Sequence, residues 1–291
     1  MAERSREIIK KGEIKEMKNL DYVDIYIDAV CNSENTKIAY TSDLNSMLEF
    51  INKPIQDITS VDILKWKKSM ANDSSATVAR RLGTSKRFFF FLYDNEYINT
   101  NPTKAIKLPR IVNKEEDTLT RDELDALIKA CKNSRDKAIL SLMASTGIRV
   151  GELCNIMLGD IDNNNNIKIL GKGNKWRIIH LNNKVADNIN KYIKDRKEGC
   201  GNLFVSNHGT PMTENTINHT LKTLSRRAGV GKNVHPHMLR HYTCTNWIEN
   251  GVPIEQARLC LGHSNISTTL RYFEQRNKQS VVENVMNIDM V

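Results

Sequence analysis

The sequence predicts a mainly α-helical chain of two domains carrying one small β-sheet. Three observations predict it. Apolar residues recur at three- and four-residue spacings along most of the 291 positions, the period of a helix that buries one face. Between residues 167 and 181 the period becomes that of strands, around a glycine-rich turn. Residues 101–117, NPTKAIKLPRIVNKEED, have no convincing period and hold Pro102 and Pro109, as a linker does. The expected organisation is therefore an N-terminal domain over 17–101, a linker over 102–117 and a second domain over 118–291. A chain of this length is comfortable as two cores.

The elements follow in order. Residues 22–30 (YVDIYIDAV) and 36–51 (TKIAYTSDLNSMLEFI) predict two helices, with N-cap candidates at Ser33 to Thr36. A third helix, VDILKWKKSMA, is expected to be capped by Ser60. A fourth begins near Ser74 and runs SSATVARRLGTSKRFFFFLYDNEYI, and its cluster Phe88, Phe89, Phe90, Phe91 and Tyr93 is expected to be largely buried. The second domain opens at Thr118 to Thr120, where Thr120 with Glu123 resembles a capping box before RDELDALIKAC. SRDKAILSLMAST is apolar on most faces, hence central, and ends at Gly147; IRVGELCNI begins another helical turn. IKIL and WRIIHL, joined by GKGNK, read as a hairpin. Helices over 184–197 and 213–228 follow, with a short strand expected at 203–205.

Composition narrows the class. The chain is 40% apolar and 26% charged, with a net charge of +9. Residues 1–117 hold 19 basic and 18 acidic side chains, and residues 118–291 hold 24 and 16, so the second part carries nearly all the excess. A basic surface favours phosphate backbones. The start, MAERSREIIKKGEIKEMKNL, lacks the apolar centre of a signal peptide, and no apolar run is long enough to cross a bilayer. A cytoplasmic protein without membrane contact is expected. Six cysteines without any CxxC pair read as free, mostly buried thiols.

The chemistry-bearing residues concentrate between His235 and Tyr272. His237 and Arg240 stand three apart in a helix-compatible run, His263 follows, and Tyr272 lies nine residues beyond it. A guanidinium grips a phosphate in two places, while imidazole can donate or exchange a proton near neutrality. The set suits an anion better than a metal. Upstream, Arg149 and Glu152 are three apart, so a carboxylate can brace a guanidinium, although the same spacing also describes a surface ion pair of little consequence. Lys172 sits in the hairpin turn. Two basic clusters, Lys65/Lys67/Lys68 and Arg80/Arg81/Lys86/Arg87, are either solvated helix faces or phosphate contacts; Lys175 and Arg177 of the hairpin join them as candidate DNA-binding residues. A competing reading takes His235, His237, His241 and Cys244 as zinc ligands of a nuclease, and another takes the chain as a DNA-binding protein without catalysis.

TGIRVGEL (146–153), LGKGNKWRIIHL (170–181), HPHMLRH (235–241) and LGHSNISTTLRY (261–272) together resemble, in order and spacing, the boxes of the tyrosine recombinases, or phage integrase family. TKIAYTSDLNSMLEF and NPTKAIKLPR are similar to the family's core-binding domain and its exit, so nearly the whole chain is covered. The compact layout resembles Xer-type and mobile-element members. The resemblance implies a SAM-like core-binding domain and a catalytic domain closing as a clamp on double-stranded DNA. It also implies Arg149 and Arg240 as a phosphate clamp, His237 and His263 beside them, Lys172 as the hairpin lysine, Tyr272 as nucleophile and Glu152 as the acidic partner of Arg149. It implies strand transfer through a 3′-phosphotyrosyl intermediate and a Holliday junction with no cofactor and no metal, by a homo-tetramer on two duplexes, and leaves room for a second recombinase or accessory factor. His241 reads as structural. FEQRNKQ after Tyr272 departs from the threonine–histidine pair of many relatives, and Tyr242 and Trp247 are bulkier than expected after HxxR. The tail QSVVENVMNIDMV suits a short apolar helix, which in relatives docks on a neighbouring protomer.

Overall fold

The computed structural model describes residues 17–110, 117–171 and 176–262. It divides into two compact units, with the boundary between Lys114 and Glu115. The first unit is all helical: α1 (Asn19–Val30), α2 (Glu34–Ile51), α3 (Ser60–Ser69) and α4 (Ser75–Asp94). The second holds α5 (Arg121–Ala130), α6 (Ser134–Thr146), α7 (Val150–Cys154), β1 (Asn166–Leu170), β2 (Trp176–His180), α8 (Asn183–Asp195), α9 (Glu214–Ala228), α10 (Pro236–Glu249) and α11 (Ile254–Leu261).

The first core closes around aromatic residues. Tyr26 meets Phe88 and Phe91 edge-on, each at 5.4 Å between ring centroids, and Trp66, Tyr22, Phe88 and Phe89 are at most 2% exposed. Burying side chains of this size stabilises by about 1.5–3 kcal/mol each. The aromatic run is not buried throughout, however: Phe90 is 60% exposed and Tyr93 49%. Successive helical residues turn by about 100°, so a run of five cannot all face α1 and α2. Helix α3 begins one residue earlier than the sequence suggests. Thr59, not Ser60, is its cap, donating through its backbone N–H and its hydroxyl to the Asp62 carboxylate at 3.0 and 2.8 Å. Within the segment read as linker, Thr103 and Ile106 are buried and Ile106 joins the first core.

In the second unit α6 is central as expected, packed against α5, α8 and α10. Asn133 caps its start, accepting from the Asp136 N–H at 2.7 Å, and Gly147 ends it in the left-handed conformation, φ +60°. The hairpin forms as read: β1 and β2 pair antiparallel, with Ile167 opposite Ile179 and Leu170 opposite Trp176. Ile167 and Ile169 face the core while Trp176 and Ile178 face outward. The strand expected at 203–205 is instead a bridged loop. Its three residues are buried, but only isolated bridges form, Met157 to Asn202 and Val205 to Pro211. Among the described residues no helix is long and apolar enough to cross a membrane.

Candidate active site

Two helix ends that finish in left-handed glycines frame the site. Gly147 closes α6 and Gly262 closes α11, at φ +60° and +67°, a conformation that glycine adopts without steric cost. Each leaves carbonyl oxygens beyond the helical ladder, and two arginines bind there. Arg240, on the inner face of α10 and 4% exposed, donates from Nη1 to the Gly147 carbonyl at 2.5 Å and from Nη2 to the Leu261 carbonyl at 2.6 Å. Arg149, the residue before α7, donates from Nη2 to the Gly262 carbonyl at 2.6 Å. Carbonyls satisfy guanidinium N–H groups without cancelling the charge. The arginines of two separate boxes thus meet at the second turn, where Arg240 holds the Leu261 carbonyl and Arg149 that of Gly262, while Arg240 alone also holds the first; the second turn is followed in sequence by His263.

Thr243 holds α10 in place against α6 through its hydroxyl, which donates to the Ala144 carbonyl at 2.9 Å. Gly147 is pinned in the same region: a Cβ there would lie 2.5 Å from Leu261 Cδ2 and 3.4 Å from Thr243 Cβ. Steric closeness, as well as backbone conformation, requires glycine.

Glu152 is the acidic centre. It is 8% exposed and accepts four hydrogen bonds: from the Arg149 N–H at 3.0 Å, Arg149 Nη1 at 2.9 Å, and Arg177 Nη1 and Nη2 at 2.9 and 2.7 Å. Burial pushes its carboxyl up, but the hydrogen bonds from Arg177 and the Arg149 backbone, with both guanidinium charges, outweigh that and hold it below the ordinary carboxylate value. The i,i+3 pair is therefore no solvated surface bridge. Arg177 also stands differently from its expectation as a DNA contact: its side chain is 16% exposed and joined to Glu152 by both Nη atoms. The sequence did hold a signal for this. Arg177 shares the inward side of β2 with Ile179, and a charged residue on that side needs a partner.

His237 lies in the first turn of α10, exposed, beside a cavity of about 350 Å³ lined by Asp117, Asn233, His235, His237 and Met238. It is three residues from Arg240, which is buried. His235 caps α10, its Nδ1 accepting from the Met238 N–H at 3.3 Å, with Pro236 in the first helical position. His241 is buried, its Nδ1 3.5 Å from the Thr245 hydroxyl. Cys244 is fully buried beside Leu261, and burial raises its thiol to about 11. His237 and Cys244 are separated by roughly 10 Å along the helix axis, while zinc ligands sit about 2 Å from the ion. The zinc set does not assemble, and among the described residues no group of three or more His, Cys, Asp or Glu is arranged to hold a metal. Lys172, Lys175, His263, Tyr272 and the tail lie outside the described residues.

Five of the seven residues in the two basic clusters have partners within the first unit. Arg80 pairs with buried Asp43, Arg81 with Asp73 at 2.8 Å, and Arg87 contacts the Tyr40 hydroxyl. Lys86 donates to the Ile106 carbonyl at 2.6 Å and Lys67 to that of Lys107 at 3.3 Å. Lys65 and Lys68 are exposed on α3.

Known proteins bear on this arrangement. The profile of the "Phage integrase family" matches residues 117–279, and that of the "Phage integrase, N-terminal SAM-like domain" matches residues 21–96. A tyrosine recombinase of Thermosipho africanus is 33% identical over 261 residues, covering 85% of this chain and 91% of that protein. Tyrosine recombinase XerD of Staphylococcus haemolyticus is 33% identical over 260 residues, covering 82% and 88%. A lambda integrase tetramer bound to a Holliday junction shares the fold at a TM-score of 0.74 and 20% identity, covering 87% of this chain and 75% of that one. With a profile matching more than half its length and a relative a third identical across nearly all of its own, the chain belongs to the phage integrase family, the tyrosine recombinases, and is an enzyme of site-specific DNA recombination.

Proposed function

We propose that this recombinase cleaves and rejoins duplex DNA with Tyr272 as nucleophile. The observation supporting it is the convergence of Arg149 and Arg240 on the turn at Leu261 and Gly262, with Arg240 also holding the turn at Gly147. A phosphodiester resists attack because charge gathers on its non-bridging oxygens, and fixed guanidiniums counter that charge; losing one such donor typically costs about 3–4 kcal/mol of barrier. A phenol with a pKa near ~10 attacks poorly at neutral pH unless its anion is stabilised. Arg240, His237 and Lys172 serve that purpose, His263 stands beside the phosphate clamp, and Glu152 braces Arg149.

The Tyr272 phenol gives its proton to the His237 imidazole and its oxygen bonds to phosphorus as the bond to the 5′-oxygen breaks, and Lys172 gives the leaving oxygen its proton as general acid. The resulting 3′-phosphotyrosyl link preserves the ester for attack by a 5′-hydroxyl of another strand, passing through a Holliday junction. No metal or nucleotide enters the step. Four protomers on two duplexes form the working assembly in the cytoplasm, a reading supported by the lambda integrase tetramer. Lys65, Lys67, Lys68, Arg80, Arg81, Lys86, Arg87 and Lys175 are the candidate phosphate contacts; Lys65 and Lys68 are exposed on α3, while the other first-unit residues also serve partners within their own unit.

The test incubates wild type and Tyr272→Phe with nicked duplexes in EDTA. The DNA is built on the sequence that wild type selects from a random pool. An SDS-resistant adduct with wild type alone is expected, with binding retained by the variant. An adduct with Tyr272→Phe removes Tyr272 as nucleophile, and activity only after zinc is added revives the metal reading.

A further inference from the structure

We propose that Arg177 is a positioning residue for strand cleavage, acting through Glu152 to keep Arg149 directed at phosphate; this rests on the recombinase reading above. An ionised carboxylate offers about four acceptor positions, and all those of Glu152 are filled: two by Arg149 and two by Arg177. Arg149 therefore holds Glu152 through one side-chain nitrogen only. Its other terminal nitrogen reaches the Gly262 carbonyl, and its side chain remains 36% exposed. A guanidinium and a carboxylate left alone prefer the two-point pairing. Arg177 occupies the positions that such a pairing would need.

Charge leads to the same conclusion. Two guanidiniums around one carboxylate leave a net positive locus, which attracts an anion. Without Arg177, the Arg149–Glu152 pair is neutral, and Arg149 is drawn into a fork with Glu152. Arg177 is not itself a phosphate contact, since both Nη atoms face Glu152. Its strand also sets the geometry of the fork: β2 is in register with β1, with Arg177 opposite Ile169, whose side chain is buried in the core.

The test compares wild type, Arg177→Met, Arg177→Lys and the double variant Arg177→Met/Glu152→Gln. It reads single-turnover adduct formation on the nicked selected duplex at saturating protein, with binding and thermal melting alongside. A 1 Å displacement of a catalytic group can cost about 100-fold, so Arg177→Met is expected to cleave on the order of 100-fold more slowly at saturation, with melting near that of the double variant. The double variant removes the competing carboxylate together with its neutraliser, and is expected to recover to within about tenfold of wild type. Arg177→Lys keeps the charge without the fork and is expected to fall between.

Wild-type rate in Arg177→Met overturns the inference. So does a double variant that melts like Arg177→Met and is no faster, because Arg177 would then act directly on DNA or only on folding. Absence of any adduct with wild type overturns the recombinase reading and this inference with it.

Discussion

Gly262 shows how closely individual atoms are fitted at this site. A Cβ there would lie 3.2 Å from Arg177 Nη1 and 3.4 Å from Arg149 Nη1, on a backbone at φ +67°. Gly251 is equally left-handed, at φ +83°, but a Cβ there meets nothing within 4 Å. Alanine at either position costs roughly 1–2 kcal/mol from the conformation alone. The two variants should therefore melt at lowered and broadly similar temperatures, while Gly262→Ala alone slows adduct formation, by on the order of tenfold or more, as the guanidiniums shift. Equal adduct rates would mean that the two arginines tolerate displacement. The sequence made Arg149 and Glu152 legible as a pair, because spacing of three places both on one helical face. It did not settle their burial: that depends on Arg177, 25 residues further on in a strand, whose alternation with Ile179 signals an inward side that the register with β1 fixes.

At the scale of elements, ends were easier to read than interiors. Ser33 and Thr120 stand where caps were expected, and Ser74 and Gly147 cap the helices that were expected to begin near the one and end at the other, since capping chemistry is local. Ser60 was misread although its alternative is local, since Asp62 closes a capping box on Thr59; Phe90 was misread because the helix turns it away from its buried neighbours; and the loop at 203–205 was misread because its burial and bridging depend on segments distant in the chain. Helix α5 combines both kinds of information. Its capping box is local, with the Thr120 N–H donating to Glu123 Oε2 at 2.8 Å and the Glu123 N–H to the Thr120 hydroxyl at 3.2 Å. Lys232, 109 residues away, adds a contact to Glu123 at 2.9 Å and one to the Thr118 carbonyl at 2.8 Å.

Partial burial raises the Glu123 carboxyl, but the Thr120 backbone and Lys232 outweigh it, and its pKa falls below the ordinary 4.5. A carboxylate depressed by folding contributes stability that is present above its unfolded value and lost as pH falls through the folded one. Glu123→Gln should thus melt lower than wild type at neutral pH and approach it as the pH is brought below the ordinary carboxylate range. Parallel melting curves across that range would assign the stability to the neutral cap alone.

For the whole molecule, charge is the property that sequence reports most directly, and its distribution the least. The excess of positive charge lies in residues 118–291, yet the first unit also bears basic clusters, most of whose residues are tied to partners inside it. Arg80 and Arg81 serve carboxylates, and Lys67 and Lys86 serve carbonyls. Lys65 and Lys68 differ: both are exposed on α3, three residues apart and so on one face of the helix. Each lysine that neutralises a phosphate releases a counterion, and the logarithm of affinity falls with the logarithm of salt by about 0.9 per phosphate contacted. If both lie on the backbone, Lys65→Ala/Lys68→Ala should bind the selected duplex more weakly at low salt and flatten that slope by roughly 1.8. Melting should be unchanged, because neither side chain is buried. A gel-shift series across salt concentrations decides it: an unchanged slope would leave this face of α3 solvated and remove Lys65 and Lys68 from the electrostatic contact with DNA.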